Sequence, residues 1–93
     1  MYAIVFDLNQ ADLEANYHNS SYKNAYTDIA KALAPHGFSR QQGSVYFGDD
    51  TVNAVKAILA VQALSKQYSW FKASVTDIRM LRIEELNDLR PAL

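Results

Sequence analysis

The sequence predicts an α+β fold in which two helices cover one face of a four-stranded antiparallel sheet. Tyr2 to Phe6 form a run of β-branched and aromatic residues without a breaker, which is typical of a buried strand. Two later segments carry apolar residues every three or four positions, as on one face of a helix. Gln42-Gly43 lies between two short β-prone segments and predicts a hairpin. The predicted order is strand, helix, strand, strand, helix, strand.

Length and composition limit the possible classes of protein. A chain of 93 residues is expected to form one domain, residues 1–93. Such a small domain is marginally stable alone, and a hydrophobic content of 49% predicts an apolar surface that a partner covers. The absence of cysteine excludes disulfides, zinc-thiolate sites and cysteine nucleophiles.

The charge balance argues against general nucleic-acid binding. The net charge is −1 and the pI is about 6.0, whereas proteins that depend on nonspecific phosphate contacts are usually basic. No segment resembles a signal peptide, and none approaches the ~20 apolar residues of a membrane span. We therefore expect a soluble, cytoplasmic protein without membrane contacts.

Asp7 ends the first strand, and two interpretations of it remain open. Side chains alternate along this strand, so Tyr2, Ile4 and Phe6 point to one side and Ala3, Val5 and Asp7 to the other. A buried, unpaired carboxylate would cost several kcal/mol, so Asp7 needs a partner, a metal ion or solvent. It either caps the turn after the strand or serves as the acidic group of an active site.

The segment after the first strand is predicted to be only briefly helical, with Asn9 as a cap. His18 follows in a loop, either as a solvated histidine or as a proton shuttle with a pKa near ~6.5. Ser20 or Ser21 is the expected N-cap of the first long helix. Pro35 is expected in a distorted last turn of that helix.

The second half of the chain is predicted as hairpin, helix and strand. The hairpin pairs Phe38 to Gln41 with Ser44 to Phe47, with Val45 and Phe47 facing the core and Ser44 and Tyr46 facing away. Asp49, Asp50 or Thr51 is expected to start the second helix, which runs to Gln67. Its large apolar residues, Val55, Ile58, Leu59, Val61 and Leu64, are expected to pack on the sheet.

The final elements complete a ferredoxin-like βαββαβ pattern. Ser69 to Ser74 is predicted to be a connection in which Trp70 and Phe71 close one end of the core. The last strand lies within Val75 to Glu84, and the tail from Asn87 is expected to pair with a partner subunit. Because the first and last strands are apolar on both sides, we predict a homodimer through the helix-free sheet face.

Four segments resemble the virulence-associated protein D (VapD) family of bacteria: residues 1–7, 21–29, 42–47 and 75–79. The resemblance extends over nearly the whole chain. That family is similar in fold to the small CRISPR-associated nucleases that form ferredoxin-like dimers. The resemblance implies an endoribonuclease that cleaves mRNA or other single-stranded RNA, and the toxin of a toxin–antitoxin pair with an antitoxin protein as partner.

The resemblance also implies site residues. Asp7 corresponds to the aspartate that ends the first strand in those nucleases, and Ser44 to a serine after the hairpin glycine. Tyr46, Arg40 and His18 are candidate substrate contacts. We expect Ser44 and Tyr46 to lie beside Asp7 on one sheet face. Two copies of Asp7 across a dimer cleft are expected to hold Mg²⁺, which binds one or two carboxylates plus phosphate oxygens.

Two alternatives stay open. The first concerns mechanism, because Asp7 or His18 could act as a base on the RNA's own 2′-OH without a metal ion. The second concerns function, because a noncatalytic ferredoxin-like module that binds RNA or protein is consistent with the same fold. The acidic pI and the lack of an aromatic and basic sheet motif weaken the RNA-binding version of that module.

Overall fold

The computed structural model describes residues 1–18 and 21–93 and contains one antiparallel four-stranded sheet. The strand order across the sheet is β2-β3-β1-β4, which confirms the predicted ferredoxin-like α+β fold. The strands are β1 (Tyr2–Leu8), β2 (Phe38–Gln42), β3 (Val45–Gly48) and β4 (Val75–Arg82). The hydrophobic first strand is therefore central, because it pairs with β3 on one side and with β4 on the other.

Four helices contribute to a single hydrophobic core. They are α1 (Gln10–Asn16), α2 (Ala25–Leu33), α3 (Ala54–Gln67) and α4 (Ser69–Ser74), with short 3₁₀ turns at Tyr22–Asn24, Ala34–His36 and Arg90–Ala92. Buried residues of every helix join Ile4 and Phe6 of β1 in that core. The helices thus cover the face of the sheet to which Ile4 and Phe6 point. No helix among the described residues is long and apolar enough to cross a membrane.

Asparagine side chains set the start of two helices. The Asn9 side-chain oxygen accepts a hydrogen bond from the Asp12 N–H at 2.9 Å, which confirms the predicted cap of α1. Asn53 caps α3 in the same way, with the Lys56 N–H at 2.8 Å. The predicted start of α3 at residues 49–51 is wrong, because the Asp49 carboxylate accepts from the Thr51 N–H within a separate turn.

Proline and glycine end α2 where the sequence indicated. Pro35 lies in the 3₁₀ turn that follows the helix, as expected for a distorted last turn. Gly37 then adopts φ +87°, a conformation that favours glycine. Of the two predicted caps at the other end, Ser21 precedes the 3₁₀ turn at Tyr22–Asn24, and Ser20 lies outside the described residues.

Helix α3 packs through Ala57, Ala60 and Leu64, so the prediction from its large residues is confirmed for Leu64 and wrong for three others. Ala57, Ala60 and Leu64 are buried, whereas Val55, Ile58 and Leu59 are more than half exposed. Alanines allow the helix backbone to approach the sheet closely. With the alanine face against the sheet, the branched residues point toward solvent. The expectation that Val55, Ile58 and Leu59 pack deeply on the sheet is therefore wrong.

The segment after α3 closes the core as predicted, but it is helical rather than irregular. Trp70 and Phe71 of α4 are both buried. The Phe71 ring meets the Phe6 ring edge-on at 5.4 Å between centroids. In the tail after β4, the described secondary structure consists of the 3₁₀ turn at Arg90–Ala92. Pairing of that tail with a partner subunit stays a prediction.

Candidate functional site

The helix-free face of the sheet has an apolar part and a charged end. Cross-strand register places Val45 and Arg79 opposite Val5, and Phe47 and Leu81 opposite Ala3. Residues directly opposite each other share a face, so all of these lie on the side away from the helices. Val5, Val45 and Phe47 are only half-buried, and Leu81 is 45% exposed. The apolar part of this face is therefore uncovered in the single chain.

Asp7 lies at the charged end of this face, where β1 finishes. Its side chain is exposed, and a register shift between Asp7 and Leu8 interrupts the pairing with β4 at this point. Within the described residues, the Asp7 carboxylate accepts no hydrogen bond that would fix a turn. The helix that follows is capped by Asn9 instead. The turn-capping interpretation of Asp7 is therefore not supported, and the carboxylate is free to act on a ligand.

Asp77 and Arg79 complete the charged end, and sequence reasoning missed both as site residues. Asp77 of β4 lies directly opposite Asp7. The Arg79 Nε donates to the two Asp77 carboxylate oxygens at 3.3 and 3.1 Å. Alternation of Asp77, Arg79 and Leu81 along β4 was visible in the sequence. Their position beside Asp7 became visible only with the register between the two strands.

Ser44 and Tyr46 lie on the other face, which corrects their predicted position beside Asp7. Tyr46 is directly opposite Ile4 and fully buried, and its ring stacks on Phe6 at 5.8 Å between centroids. Burial raises the pKa of the Tyr46 phenol, as expected for a hydroxyl inside the core. Ser44 lies in the turn just before β3, and its carbonyl oxygen accepts from the Phe6 N–H at 3.2 Å, so the pairing with β1 continues to Ser44 opposite Phe6 on the helix-covered face.

The two remaining predicted contacts, Arg40 and His18, have partners other than Asp7. Arg40 is opposite Tyr46, and its guanidinium lies 5.2 Å from the centre of the Tyr26 ring on the helix side. Its Nε donates to the Gly43 carbonyl oxygen at 2.9 Å. His18 follows α1, and its ring packs on Tyr17 at 4.2 Å. Arg40 therefore lies on the other face of the sheet from Asp7, and the described contact of His18 is with Tyr17.

The donor set at the charged end suits a hard cation shared with a substrate. Among the described residues, no group of three or more His, Cys, Asp or Glu side chains could hold a metal ion by itself. Asp7 and Asp77 nevertheless present two carboxylates from adjacent strands. Mg²⁺ is commonly bound by one or two carboxylates together with water and phosphate oxygens, so Asp7 fits it as a protein ligand, whereas both Asp77 oxygens already accept from Arg79.

Comparison with known proteins gives a consistent family assignment. The family described as CRISPR associated protein Cas2 matches residues 1–88. The chain is 50% identical to endoribonuclease VapD 2 of Riemerella anatipestifer, over all of this chain and 99% of that protein. It is 53% identical to an endoribonuclease VapD homolog of Helicobacter pylori, over all of this chain and 96% of that protein. It is also 44% identical to endoribonuclease VapD of Dichelobacter nodosus, over 95% of this chain and 91% of that protein.

Proposed function

This chain belongs to the CRISPR associated protein Cas2 family and to the VapD proteins, and from that premise we propose that it is an endoribonuclease acting on single-stranded RNA as a homodimer. The observation that carries the site assignment is the position of Asp7. It is an exposed carboxylate at the end of the central strand, opposite Asp77, on a sheet face that no helix covers. Within the described residues no structural hydrogen bond accounts for it.

Asp7 acts on the scissile phosphodiester in this proposal. As a carboxylate it accepts the proton of the attacking hydroxyl, which is either a water molecule or the 2′-OH of the substrate. Asp7 would hold Mg²⁺ together with water and phosphate oxygens, and the ion, when bound, would stabilise negative charge on the phosphate and activate water. EDTA separates the two routes, because cleavage that persists in EDTA requires no divalent cation.

The dimer is proposed from the uncovered apolar part of the same face. Val5, Val45, Phe47 and Leu81 together form an apolar surface, which is typical of an interface. A two-fold symmetric contact through this face is self-complementary, so each residue of the patch is covered by the same patch on the other copy. The charged ends with Asp7 would then lie along the cleft between the subunits.

Adjacent residues on opposite faces provide a matched test of the dimer. Leu81 is on the helix-free face and 45% exposed, whereas Met80 is on the helix-covered face and 42% exposed. Leu81→Glu should give a monomer by light scattering, because a carboxylate would be buried at the interface. Met80→Glu should leave the dimer intact. A wild-type protein that is monomeric across micromolar concentrations would refute this interface.

Asp7→Asn is the test of the catalytic assignment. The substitution keeps the size of the side chain and removes its charge, so cleavage of a single-stranded RNA should fall about 100-fold or more. Asp50→Asn is the control, because Asp50 is an exposed carboxylate far along the chain from the site. Cleavage by Asp7→Asn at the wild-type rate would exclude Asp7. A wild-type protein that binds RNA without cleaving it would favour the noncatalytic binding module.

The physiological role proposed for this activity is that of a toxin whose partner is an antitoxin protein. A ribonuclease that cleaves mRNA in the cytoplasm arrests translation. Induced expression of the wild-type chain should therefore stop bacterial growth, whereas Asp7→Asn should not. Growth arrest of equal strength with both chains would separate the toxicity from RNA cleavage.

A further inference from the structure

The helix-free face carries one cation among its strand residues, and that cation is Arg79. The structure describes every strand residue, and the register places the following side chains on this face: Ala3, Val5, Asp7, Ser39, Gln42, Val45, Phe47, Asp77, Arg79 and Leu81. A polyanion that approaches Asp7 meets two carboxylates there. Its phosphates need a positive group within reach, and among these strand residues only Arg79 supplies one.

The guanidinium of Arg79 is held in place by one of its nitrogens. Its Nε donates to both oxygens of Asp77, whereas in the described part of the chain neither of its terminal nitrogens has a hydrogen-bond partner. The side chain is 70% exposed, so these terminal N–H groups face solvent. A planar guanidinium oriented in this way can bind two oxygens of one phosphate group.

We propose that Arg79 binds a phosphate group of the RNA next to the bond on which Asp7 acts. This inference rests on the proposed function, since it assigns a substrate-binding residue to the same site. Arg79 is opposite Val5, which is two residues from Asp7 along β1. Asp77 is opposite Asp7 and accepts the hydrogen bonds from Arg79, so it lies between the two residues. The Asp77 carboxylate therefore serves as the group that orients Arg79 while Asp7 remains free for chemistry.

Arg82 is a matched control on the same strand. It lies opposite Tyr2 on the helix-covered face, its side chain is 71% exposed, and its Nε is 3.7 Å from a Glu84 oxygen. Arg79→Gln and Arg82→Gln thus remove the same charge from side chains of nearly equal exposure, each with an acidic partner. The two variants differ in the face of the sheet from which the cation is removed.

The first measurement is binding of a fluorescently labelled single-stranded RNA to the Asp7→Asn protein, which keeps the substrate intact. Adding Arg79→Gln should weaken binding about tenfold or more, as expected when hydrogen bonds to a charged group are removed. The slope of log affinity against log salt should decrease by about 0.7 for each phosphate that the protein no longer neutralises. Adding Arg82→Gln should change neither quantity.

The second measurement is cleavage by the protein with Asp7 intact. Arg79→Gln should raise KM about tenfold with a smaller effect on kcat, because it removes substrate binding rather than the reacting group. Arg79→Lys keeps the charge but not the planar fork, so it should retain the salt dependence and restore only part of the affinity. Urea denaturation of Arg79→Gln beside the wild type checks that its weaker binding does not come from unfolding.

The outcomes distinguish the two proposals. RNA cleavage that depends on Asp7 but is equally fast in Arg79→Gln and Arg82→Gln would overturn the role of Arg79 alone. A wild-type protein that neither binds nor cleaves RNA would overturn the proposed function. Weakened binding and a shallower salt slope confined to Arg79→Gln support the assignment of Arg79.

Discussion

Asp7 and Asp77 are directly opposite each other on the adjacent antiparallel strands β1 and β4. Like charges at such positions destabilise a sheet, because neighbouring side chains on one face are only about 5 Å apart. Arg79 offsets part of this repulsion through its ion pair with Asp77 at 3.1 Å. The two opposed carboxylates therefore lower the stability of the folded chain, and no structural role within one chain explains why both are present.

The first prediction is that Asp7→Asn stabilises the folded chain while it lowers the rate of cleavage about 100-fold or more. Removal of one of two opposed charges should raise the free energy of unfolding by about 0.2–1 kcal/mol, the range for cross-strand pairs. Urea denaturation of both proteins measures this difference. Asp77→Asn should stabilise less, because it also removes the partner of Arg79. A decrease of more than about 1 kcal/mol in Asp7→Asn would indicate that Asp7 has a structural role instead.

The second prediction concerns Tyr46 and Ser44, which lie on the helix-covered side of the sheet and away from Asp7. Tyr46→Ala should cost about 3–5 kcal/mol, because a fully buried ring leaves a cavity against Phe6. Tyr46→Phe should cost at most about 0.5–1.5 kcal/mol, since the ring stays and only the hydrogen bond to the Tyr26 carbonyl at 3.4 Å is removed. Thermal and urea denaturation check both values.

Ser44→Ala is the companion variant. Its backbone carbonyl, which accepts from the Phe6 N–H, is kept in alanine, so stability should change by less than about 0.5 kcal/mol. Cleavage should also stay within a factor of about two, because Ser44 lies across from Phe6, whose side chain points to the other face of the sheet from Asp7. A large drop in cleavage with unchanged stability would return Ser44 to the active site.

These residues show what the sequence could and could not predict. Alternation correctly divided β1 into two faces, and the breaker-free run of β1 correctly indicated a central strand. The same alternation in β3 led to the prediction that Val45 and Phe47 face the core, which is wrong because Tyr46 is buried there instead. Only the register with β1 decides which side of β3 meets the core, because Tyr46 is opposite Ile4. Local pattern cannot supply that information.

The site illustrates the same limit. Asp7 could be singled out because a carboxylate after a buried strand is unusual. Asp77 and Arg79 could not be singled out, because charged residues are common in edge strands. Their position beside Asp7 follows only from the pairing of β4 with β1.

The prediction that Val55, Ile58 and Leu59 of α3 pack on the sheet failed for a related reason. The hydrophobic residues of α3 cover most of the circumference of the helix, so hydrophobicity alone does not identify the face that packs on the sheet. The buried face contains Ala57 and Ala60, which allow the helix backbone to approach the sheet closely.

The third prediction tests the orientation of α3 with two adjacent residues. Leu59→Gln should change the free energy of unfolding by no more than about 0.5 kcal/mol, because Leu59 is 53% exposed. Ala60→Leu should cost about 1–3 kcal/mol, because Ala60 is fully buried and extra methylene groups overfill the contact with the core. Urea midpoints measured side by side give the comparison. The reverse order of effects would contradict the packing of α3.

The fourth prediction concerns the hydrogen bond between Tyr17 and Asp28. Tyr17 is buried against Trp70, and its hydroxyl donates to a carboxylate oxygen of Asp28. Burial first, and then the hydrogen bond and the charge of Asp28, raise the pKa of Tyr17 from 10.0 to about 12. Each cause favours the neutral phenol in the folded chain.

The pH dependence of stability follows from this raised pKa. Between pH 10.0 and about 12 the unfolded chain has released the Tyr17 proton while the folded chain keeps it. The folded state then binds more protons, so stability falls as pH rises through this interval, and the contribution of Tyr17 is fully present below it. Urea midpoints taken at ~pH 9 and ~pH 11.5 should therefore decrease for the wild-type protein.

Two variants separate the causes of this effect. Tyr17→Phe removes the ionisable group, so its midpoint should fall less between the two pH values than that of the wild type. Asp28→Asn removes the carboxylate but keeps the burial of Tyr17, so its decrease should be intermediate. Each variant is compared with the wild type at the same two pH values, so the difference between the midpoints reports the contribution of the Tyr17 site. An identical pH dependence in Tyr17→Phe and wild type would show that the Tyr17–Asp28 contact does not hold the phenol in its neutral form.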